Sequence, residues 1–456
     1  MRTPTNRDEP VANGFGPKSL WHDTLEPGDT GAPRPPLAGD READVAIVGA
    51  GFTGVWTAYY LLRADPSLRV IVLERETAGF GASGRNGGWC VGDQAAALGV
   101  LDKHGGPGAA ARMVRAVQAS VDEVGVVSAA ESIDCGYAKG GALLLASSAT
   151  QLRRLTARAR QCDAHGLPGT FRVLDTDATA GVVRAHGVVG ALHTDHAAAV
   201  HPARLVRGVA RAAERLGATI VEQTAATAIE PGRVRTEHGT VRAEVIVRAT
   251  EAYTRSLRGQ RRVTLPLANF LVATEPIDDA TWAEIGLAGR ELFEDSRLML
   301  GYGQRTADGR IAWGGLTTRY RWASRTPPTP MHSRRAAQQL RDRLVQLFPP
   351  LRGIGLSHHW SGVLGISRDL RPSVGLDRRT GLAWAGGYFG AGVAAANLAG
   401  ATLADLITDQ RTDRTELPWV DHRSRSWEPE PLRWLGVHAA TTGARLADTV
   451  DLRRPR

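Results

Sequence analysis

At 456 residues the chain is longer than one hydrophobic core usually supports, so two domains are expected. Its 43% hydrophobic and 23% charged residues are typical of a soluble globular protein. The net charge of +9 is carried mainly by arginines scattered along the chain, since the lysines are Lys18, Lys103 and Lys139, and this scatter argues against a nucleic-acid partner.

Cysteines and apolar segments narrow the class of protein further. Cys90, Cys135 and Cys162 provide neither a disulfide framework nor a metal-ligand spacing, so we predict reduced thiols, a cytoplasmic location and no metal site. The first twenty residues contain no apolar core and no cleavage signal, which argues against a secretory peptide. Residues 383–404 carry no charge but are rich in Gly and Ala, so a buried turn and helix is predicted there, not a membrane span.

The chain starts with a segment rich in Pro and Gly, residues 1–43, in which Trp21 is the large anchor. This composition predicts an extended arm over the surface.

A dinucleotide-binding motif follows the arm. Residues 44–48 form a short apolar run typical of a buried strand, and the glycines of a G-x-G-x-x-G spacing come next, before a helix. Gly49 would make the tight turn, Gly51 would let a pyrophosphate approach the backbone, and Gly54 would let the helix pack closely on the strand. The helix amino terminus would face the phosphates with free N–H groups and partial positive charge.

The next strand and loop distinguish between cofactors. Residues 70–73 end in Glu74, at the distance expected for a carboxylate that binds ribose hydroxyls and repels a ribose phosphate. NAD and FAD both satisfy this half of the motif. The second Gly-rich segment, 79–88, lies where a nicotinamide-binding unit would normally begin its next helix, and it offers polar donors to a longer cofactor. We therefore predict FAD.

Helices and strands then alternate without another glycine fingerprint. The stretch 95–130 is mostly helical, 140–146 predicts a strand and 151–165 a helix, which together begin a second domain. Residues 201–216 predict an amphipathic helix, followed by a strand at 218–221.

A hairpin leads the chain back to the first domain. Residues 234–236 and 241–247 predict its two strands, joined at 238–239. The second strand runs into Ala249 and Thr250, where two-dinucleotide folds return beside the first glycine loop. The first domain is therefore predicted to be discontinuous in sequence.

A second sheet is predicted from residues 265–277, 298–303 and 310–315, with a turn at 308–309. This sheet would offer a face large enough to cover the flavin ring. A charged helix follows at 331–348.

The last quarter of the chain predicts strands at 359–366 and 382–385. The second of them leads into a glycine cluster that opens a helix, residues 386–407. Backbone N–H groups at this helix start would face the flavin.

These elements predict an α/β protein, α+β overall, with a Rossmann-like FAD-binding domain and a substrate domain built on a large, mostly antiparallel sheet. The predicted boundaries are an arm at 1–43, an FAD-binding domain at 44–95, 195–255 and 354–420, a substrate domain at 96–194 and 256–353, and a tail at 421–456.

The motifs together resemble the D-amino-acid-oxidase-like (DAO) family of FAD-dependent oxidoreductases, and within it the gamma-glutamylputrescine oxidase branch. The resemblance covers nearly the whole chain, through DVAIVGAGFTG, GFGASGRNGG, HPARLV, RATEAYT, VATEP, DGRIAWGG, GGYFGAGV and WEPEPLRWLG. GASGRNGG is specific to this branch, whereas GAGFTG alone is not. The resemblance implies FAD, a glutathione-reductase-2-like two-domain fold, and oxidation of a C–N bond in a small amine or amino acid.

Three departures from the family pattern bear on the substrate. Glu251 stands where the family usually has Asn, Gln304 where an Arg is usual, and Ala394 where the sarcosine-oxidase branch carries a Lys. The two missing cations argue against a substrate carboxylate beside the reacting nitrogen. We therefore favour an amine, with an amino-acid oxidase or dehydrogenase as the alternative.

Two sets of site residues follow. The predicted cofactor-binding residues are Gly49, Gly51, Phe52, Thr53, Gly54, Glu74, Arg75, Ser83, Arg85, Asn86, Gly87, Gly88, Ala226, Ala249, Thr250, Gly387, Tyr388, Gly390, Gly392 and Val393. The predicted substrate-pocket residues are Trp89, Cys90, Tyr302, Trp360 and Phe389. No residue is assigned a catalytic role, and since GASGRNGG contains no Cys or His, FAD is predicted to bind without a covalent bond.

The expected reaction passes a hydride to the flavin and leaves an imine, which water hydrolyses to a carbonyl compound. Electrons would then go to O2, giving H2O2, or to another acceptor. A tRNA-modifying flavoprotein and a redox-silent flavin-binding protein are the alternatives from other classes.

Overall fold

The computed structural model describes residues 19–26, 33–93, 96–326 and 332–453, without the side chains of 316–319 and 451–453. The strands are β1 (Arg41–Val48), β2 (Val70–Leu73), β3 (Trp89–Val91), β4 (Ala142–Ala146), β5 (Arg172–Leu174), β6 (Gly190–Thr194), β7 (Ala197–Ala199), β8 (Thr219–Val221), β9 (Ala226–Glu230), β10 (Arg233–Thr236), β11 (Thr240–Arg248), β12 (Leu265–Thr274), β13 (Leu292–Glu294), β14 (Gly301–Arg305), β15 (Ile311–Arg319), β16 (Leu356–Ile366), β17 (Ser373–Asp377) and β18 (Leu382–Gly386). The helices are α1 (Leu20–Asp23), α2 (Phe52–Ala64), α3 (Leu98–Gly105), α4 (Ala109–Ala130), α5 (Ala149–Ala164), α6 (Thr176–Val182), α7 (Pro202–Arg215), α8 (Asp279–Ile285), α9 (Arg334–Leu347), α10 (Gly392–Ile407) and α11 (Leu432–Arg453).

The first sheet has the order β17-β18-β11-β1-β2-β8, with β10 and β9 added beside β11. The strands from β18 to β8 along this order are parallel. The strand β2 is buried at every position, because helices α2, α4, α7 and α10 cover one face of the sheet and a second apolar cluster that includes β10 covers the other. β11 pairs with β1, which places Ala249 beside the first glycine loop, as predicted.

Helix α10 contains most of the long uncharged segment. It packs inside the core against α2, where a Cβ on Gly400 would lie 2.6 Å from the Trp56 Cβ. This close approach explains the Gly and Ala content of the segment. Among the described residues, no helix is both long enough and apolar enough to cross a membrane.

The second sheet has the order β16-β12-β15-β14-β13-β4-β6-β5 and is antiparallel except between β13 and β4. This confirms the predicted mostly antiparallel sheet. Helices α8 and α9 bury their apolar residues against one side of it.

Two predicted domain assignments are wrong. Strand β16 belongs to the second sheet through a ladder with β12, so the chain returns to the first sheet at Ser373 and not at 354. The helices at 98–130, assigned to the substrate domain, contribute Leu101 and Val117 to the core under the first sheet. The apolar faces of these helices pack against that core. The order of elements along the sequence does not show which of the two domains a helix packs against.

The two ends of the described chain are more ordered than predicted. Trp21, expected on an extended surface arm, lies in the short helix α1 and is 2% exposed. In the predicted tail, Glu430 accepts hydrogen bonds from Tyr320 and Ala323, and α11 follows it. Met299, predicted in a strand, donates its backbone N–H to Asp448 of α11, and the strand begins only at Gly301.

An ion pair fixes the segment before β1. Arg34 contacts Glu214 at 2.6 Å and Glu222 at 2.8 Å, and the Glu222 side chain is 1% exposed. We expect Arg34→Ala to lower the free energy of unfolding by about 3 kcal/mol, because it leaves a buried carboxylate without its cation. Urea unfolding should show this loss, whereas Arg411→Ala, which breaks an exposed pair with Glu416, should change stability by less than about 1 kcal/mol. Equal effects of the two variants would contradict the assigned role of Arg34.

Candidate active site

A cleft of about 1160 Å³ lies where the carboxyl end of β1, the amino terminus of α2 and the loop 79–88 meet. The predicted cofactor residues that line it are Gly49, Gly51, Phe52, Thr53, Glu74, Arg75, Ser83, Asn86, Ala226, Ala249, Thr250, Tyr388, Gly390, Gly392 and Val393. The sequence analysis did not select several other lining residues, namely Phe80, Thr224, Glu251, Tyr253, Val363 and Leu364. Phe80, Glu251 and Tyr253 lie within the quoted motifs but were not assigned to the cofactor. The other three lie outside any motif, and their positions depend on the assembled fold.

The first glycine loop requires its glycines for two reasons. Gly49 has a φ of +108°, and a Cβ there would lie 2.6 Å from the Ala249 carbonyl oxygen. A Cβ on Gly54 would lie 1.9 Å from the Gly49 carbonyl oxygen, so only glycine lets α2 approach the strand this closely. Gly54 therefore does not line the cleft but shapes it.

The start of α2 is bound to the second Gly-rich loop. The Phe52 N–H donates to Ser83 Oγ at 2.8 Å, and a Cβ on Gly51 would lie 2.9 Å from the same oxygen. The open face of Gly51 lines the cleft, where an incoming phosphate can approach the backbone.

Glu74 lies at the end of β2, inside the cleft. Its carboxylate accepts backbone N–H groups from Ala50 at 2.8 Å and Glu76 at 3.0 Å. Burial raises the pKa of Glu74, and these two hydrogen bonds oppose that rise. The remaining lone pairs of the Glu74 oxygens can accept hydrogen bonds from ribose hydroxyls.

The turn before α10 forms the other end of the cleft. The Tyr388 hydroxyl lies 2.9 Å from Thr53 Oγ1, which joins this turn to α2. Gly392 begins α10 and lines the cleft, so the amino termini of both α2 and α10 face the same space. The partial positive charges of two helix termini therefore face the same space.

Three side chains from distant parts of the chain hold the loop 85–88. Trp360 donates to the Arg85 carbonyl at 2.9 Å, Trp21 to the Asn86 carbonyl at 2.7 Å, and Gln304 to the Gly87 carbonyl at 2.8 Å. Three predicted cofactor residues, Arg85, Gly87 and Gly88, lie in this loop and contribute to its shape through their backbone. A fourth, Gly387, adopts a φ of +78° in the turn before α10.

The predicted pocket residues separate into two groups. Trp89 and Tyr302 contact each other edge to face, with ring centroids 5.5 Å apart. Trp360 and Cys90 are fully buried, so neither side chain forms a pocket wall as predicted. Trp360 instead supports the loop 85–88. Burial raises the pKa of the Cys90 thiol. Phe389 is 45% exposed in the turn before α10.

Asn269 was missed by the sequence analysis and lies beside Tyr302. Its Nδ2 donates to the Tyr302 hydroxyl at 2.8 Å, while its buried Oδ1 has no hydrogen-bond partner among the described residues. Burial raises the pKa of Tyr302, so its hydroxyl stays protonated. The pair offers a free acceptor next to an aromatic ring.

The cleft contains little cationic charge. Among its described lining residues, the only cationic side chain is Arg75, which lies next to Glu74 and over the Tyr253 ring. Glu251 accepts the Gly365 N–H at 2.5 Å, and burial raises its pKa to about 8, so its carboxyl group is mostly protonated at neutral pH. No group of residues suited to hold a metal ion occurs in the described part of the chain.

Comparison with known proteins agrees with this geometry. The family model described as "FAD dependent oxidoreductase" (DAO) matches residues 44–406. The chain is 29% identical to gamma-glutamylputrescine oxidoreductase of Escherichia coli, over 80% of this chain and 83% of that protein, and 27% identical to the probable oxidoreductase OrdL of Haemophilus influenzae, over 82% and 84%.

Solved structures share the fold at lower sequence identity. Glycine oxidase from Geobacillus kaustophilus aligns with a TM-score of 0.72 and 20% identity, over 85% of this chain and all of that one. L-proline dehydrogenase from P. horikoshii aligns with a TM-score of 0.68 and 18% identity, over 84% and 98%.

Proposed function

Because the chain belongs to the DAO family of FAD-dependent oxidoreductases, we propose that it oxidises the C–N bond of a small amine. The observation that supports an amine is the state of Gln304, at the position where the family pattern has Arg. Its side chain is fully buried and its amide donates to the Gly87 and Val200 carbonyls, so it offers no cation to a substrate beside Tyr302. A substrate carboxylate beside the reacting nitrogen would need a cationic partner.

The lining residues fit FAD. Glu74 would bind the ribose, the amino terminus of α2 the phosphates, and the amino terminus of α10 the ring, each helix terminus contributing about 0.3–1 kcal/mol. Bound there, FAD would accept a hydride from the carbon next to the substrate nitrogen. We propose that it binds without a covalent bond, since the described lining residues include no Cys and no His.

The aromatic side chains of Trp89 and Tyr302 would favour the neutral form of the substrate amine. An alkylammonium has a pKa of about 10 and must lose its proton before oxidation. Lowering that pKa to about 7 needs about 4 kcal/mol, which desolvation against Trp89 and Tyr302 would supply in part. Asn269, whose Nδ2 donates to the Tyr302 hydroxyl, would hold this ring in position beside the amine. Water would then hydrolyse the imine product to a carbonyl compound.

An α-amino acid is the second candidate, favoured by the similarity to glycine oxidase. We propose that the electrons pass to O2 or to another acceptor, and that the protein is cytoplasmic, which its three unpaired cysteines support.

The test is anaerobic bleaching of the flavin by matched pairs, such as propylamine and the amino acid that carries an added α-carboxylate on the same carbon skeleton. We expect the amine to bleach the flavin and the amino acid to do so at least about tenfold more slowly. The reverse order would overturn the amine assignment in favour of an amino acid, and no bleaching by any compound would indicate a redox-silent protein. Readmitting air to the bleached enzyme would then separate an oxidase from a dehydrogenase.

A further inference from the structure

A second cavity, of about 1190 Å³, lies beyond Trp89. Strands β3, β4 and β13 bound it on one side and helices α4 and α5 on the other. Its polar lining includes Glu294, Arg158, Asp93 and His196. We refer to it as the Glu294 cavity.

The strand register places this cavity next to the proposed substrate site. Glu294 on β13 is the direct antiparallel partner of Tyr302 on β14. Directly paired residues point to the same face of a sheet, with Cβ atoms about 4.5–5.5 Å apart. Trp89 contacts the Tyr302 ring and also lines the cavity. Tyr302, Trp89 and Glu294 therefore form one continuous surface.

When Glu294 is ionised, the cavity carries an excess of one negative charge. Arg158 contacts Asp93 at 2.5 Å, so the one guanidinium is already paired with a carboxylate. The Glu294 carboxylate receives no hydrogen bond from any described residue. Burial lowers the pKa of His196, which keeps this imidazole neutral at neutral pH.

Glu294 interacts with one positive charge, on Arg158, which it shares with Asp93, and with two negative charges, on Asp295 and Asp93. Burial raises its pKa to about 7, and the charge of Arg158 offsets only part of that rise. A bound cation would favour the ionised form and satisfy the free oxygens.

We propose that the Glu294 cavity binds a second ammonium group of the substrate, so that the enzyme prefers a diamine, or another amine with a distal positive charge, to a simple alkylamine. The inference rests on the proposed amine oxidation. Glu294 would pair with the distal ammonium, and the aromatic surface of Trp89 and Tyr302 would cover the carbon chain between the two nitrogens.

The first test compares diaminobutane with butylamine on the holoenzyme. We expect kcat/KM to be about 10- to 100-fold higher for the diamine, and Glu294→Gln to reduce this preference to within about threefold by lowering kcat/KM for the diamine. Glu284→Gln, an exposed change on α8, should preserve the preference. Equal kcat/KM for both amines in the wild type, or equal loss of both in Glu294→Gln with FAD content unchanged, would overturn the proposal.

A binding measurement separates this inference from the proposed function. A diamine with two methyl groups on each carbon next to nitrogen has no hydrogen to lose, so it can bind but cannot be oxidised. We expect it to shift the flavin spectrum of the wild type with an affinity at least about tenfold higher than that of its monoamine analogue, and Glu294→Gln to remove the difference. Equal affinities would overturn the inference even if amines are oxidised, and a Glu294-dependent difference would support it even if they are not.

Discussion

Replacing Gly54 with alanine is expected to yield a protein that is less stable and retains little FAD. The new Cβ would lie 1.9 Å from the Gly49 carbonyl oxygen and 3.3 Å from the Ile47 side chain. Because the first of these contacts is with backbone, no side-chain rotation can relieve it, and α2 must move away from the strand. We expect the free energy of unfolding to fall by about 3 kcal/mol. Displacing the amino terminus of α2 should weaken FAD binding by at least about tenfold.

The FAD-to-protein ratio after purification and a urea unfolding curve measure the two effects of Gly54→Ala. Gly99→Ala is the matched control, because a Cβ on this α3 glycine meets no atom within 4 Å. It should leave FAD content unchanged and raise stability by up to about 1 kcal/mol. A Gly54→Ala protein with full FAD content and a wild-type unfolding curve would refute the requirement for close packing at this position.

Replacing Glu251 with glutamine is expected to change how stability depends on pH. Burial raises the pKa of Glu251 to about 8 in the folded protein, whereas an unfolded glutamate titrates near pH 4.3. The folded state therefore binds more protons between these two values, and wild-type stability falls as the pH rises through this window. Gln keeps the acceptor for the Gly365 N–H but has no charge to ionise. The variant should match the wild type at pH 4 and exceed its stability by up to about 4 kcal/mol at pH 9.

Urea unfolding at pH 4, 7 and 9 would reveal the divergence between Glu251→Gln and the wild type. Burial is the main cause of the raised pKa of Glu251, and the backbone N–H groups of Gly365 and Ala252 oppose it. Glu416→Gln removes a carboxylate that is 61% exposed and should show no pH-dependent difference. Parallel curves for Glu251→Gln and the wild type would mean that Glu251 is ionised in the folded protein at neutral pH.

The sequence predicted the cofactor end of the site better than the substrate end. The glycines at 49, 51 and 54 and the buried strand before them report local backbone requirements, which a sequence shows directly. Ala249 could be placed because a parallel strand that joins β1 must end beside the first glycine loop.

Residues outside such motifs could not be placed, because their roles depend on partners far along the chain. The apolar run of β16 fits either sheet by composition, and only its ladder with β12 decides. Trp360 was predicted as a pocket wall because an aromatic residue in a strand does not show which face it occupies. α11 was missed because its apolar side chains, such as Leu432 and Leu446 at 60% and 63% exposure, define no buried stripe.

The loop 85–88 is held by Trp21, Gln304 and Trp360, whose hydrogen-bond partners lie 65, 217 and 275 residues away along the chain. Loop closures of this length form late in folding, since their entropic cost must be met before the contacts can compensate. During synthesis, this loop can reach its final shape only after β16 has left the ribosome. We therefore expect a nascent chain that contains the complete first glycine motif but lacks β16 to bind FAD poorly, so that bound flavin would appear late in folding.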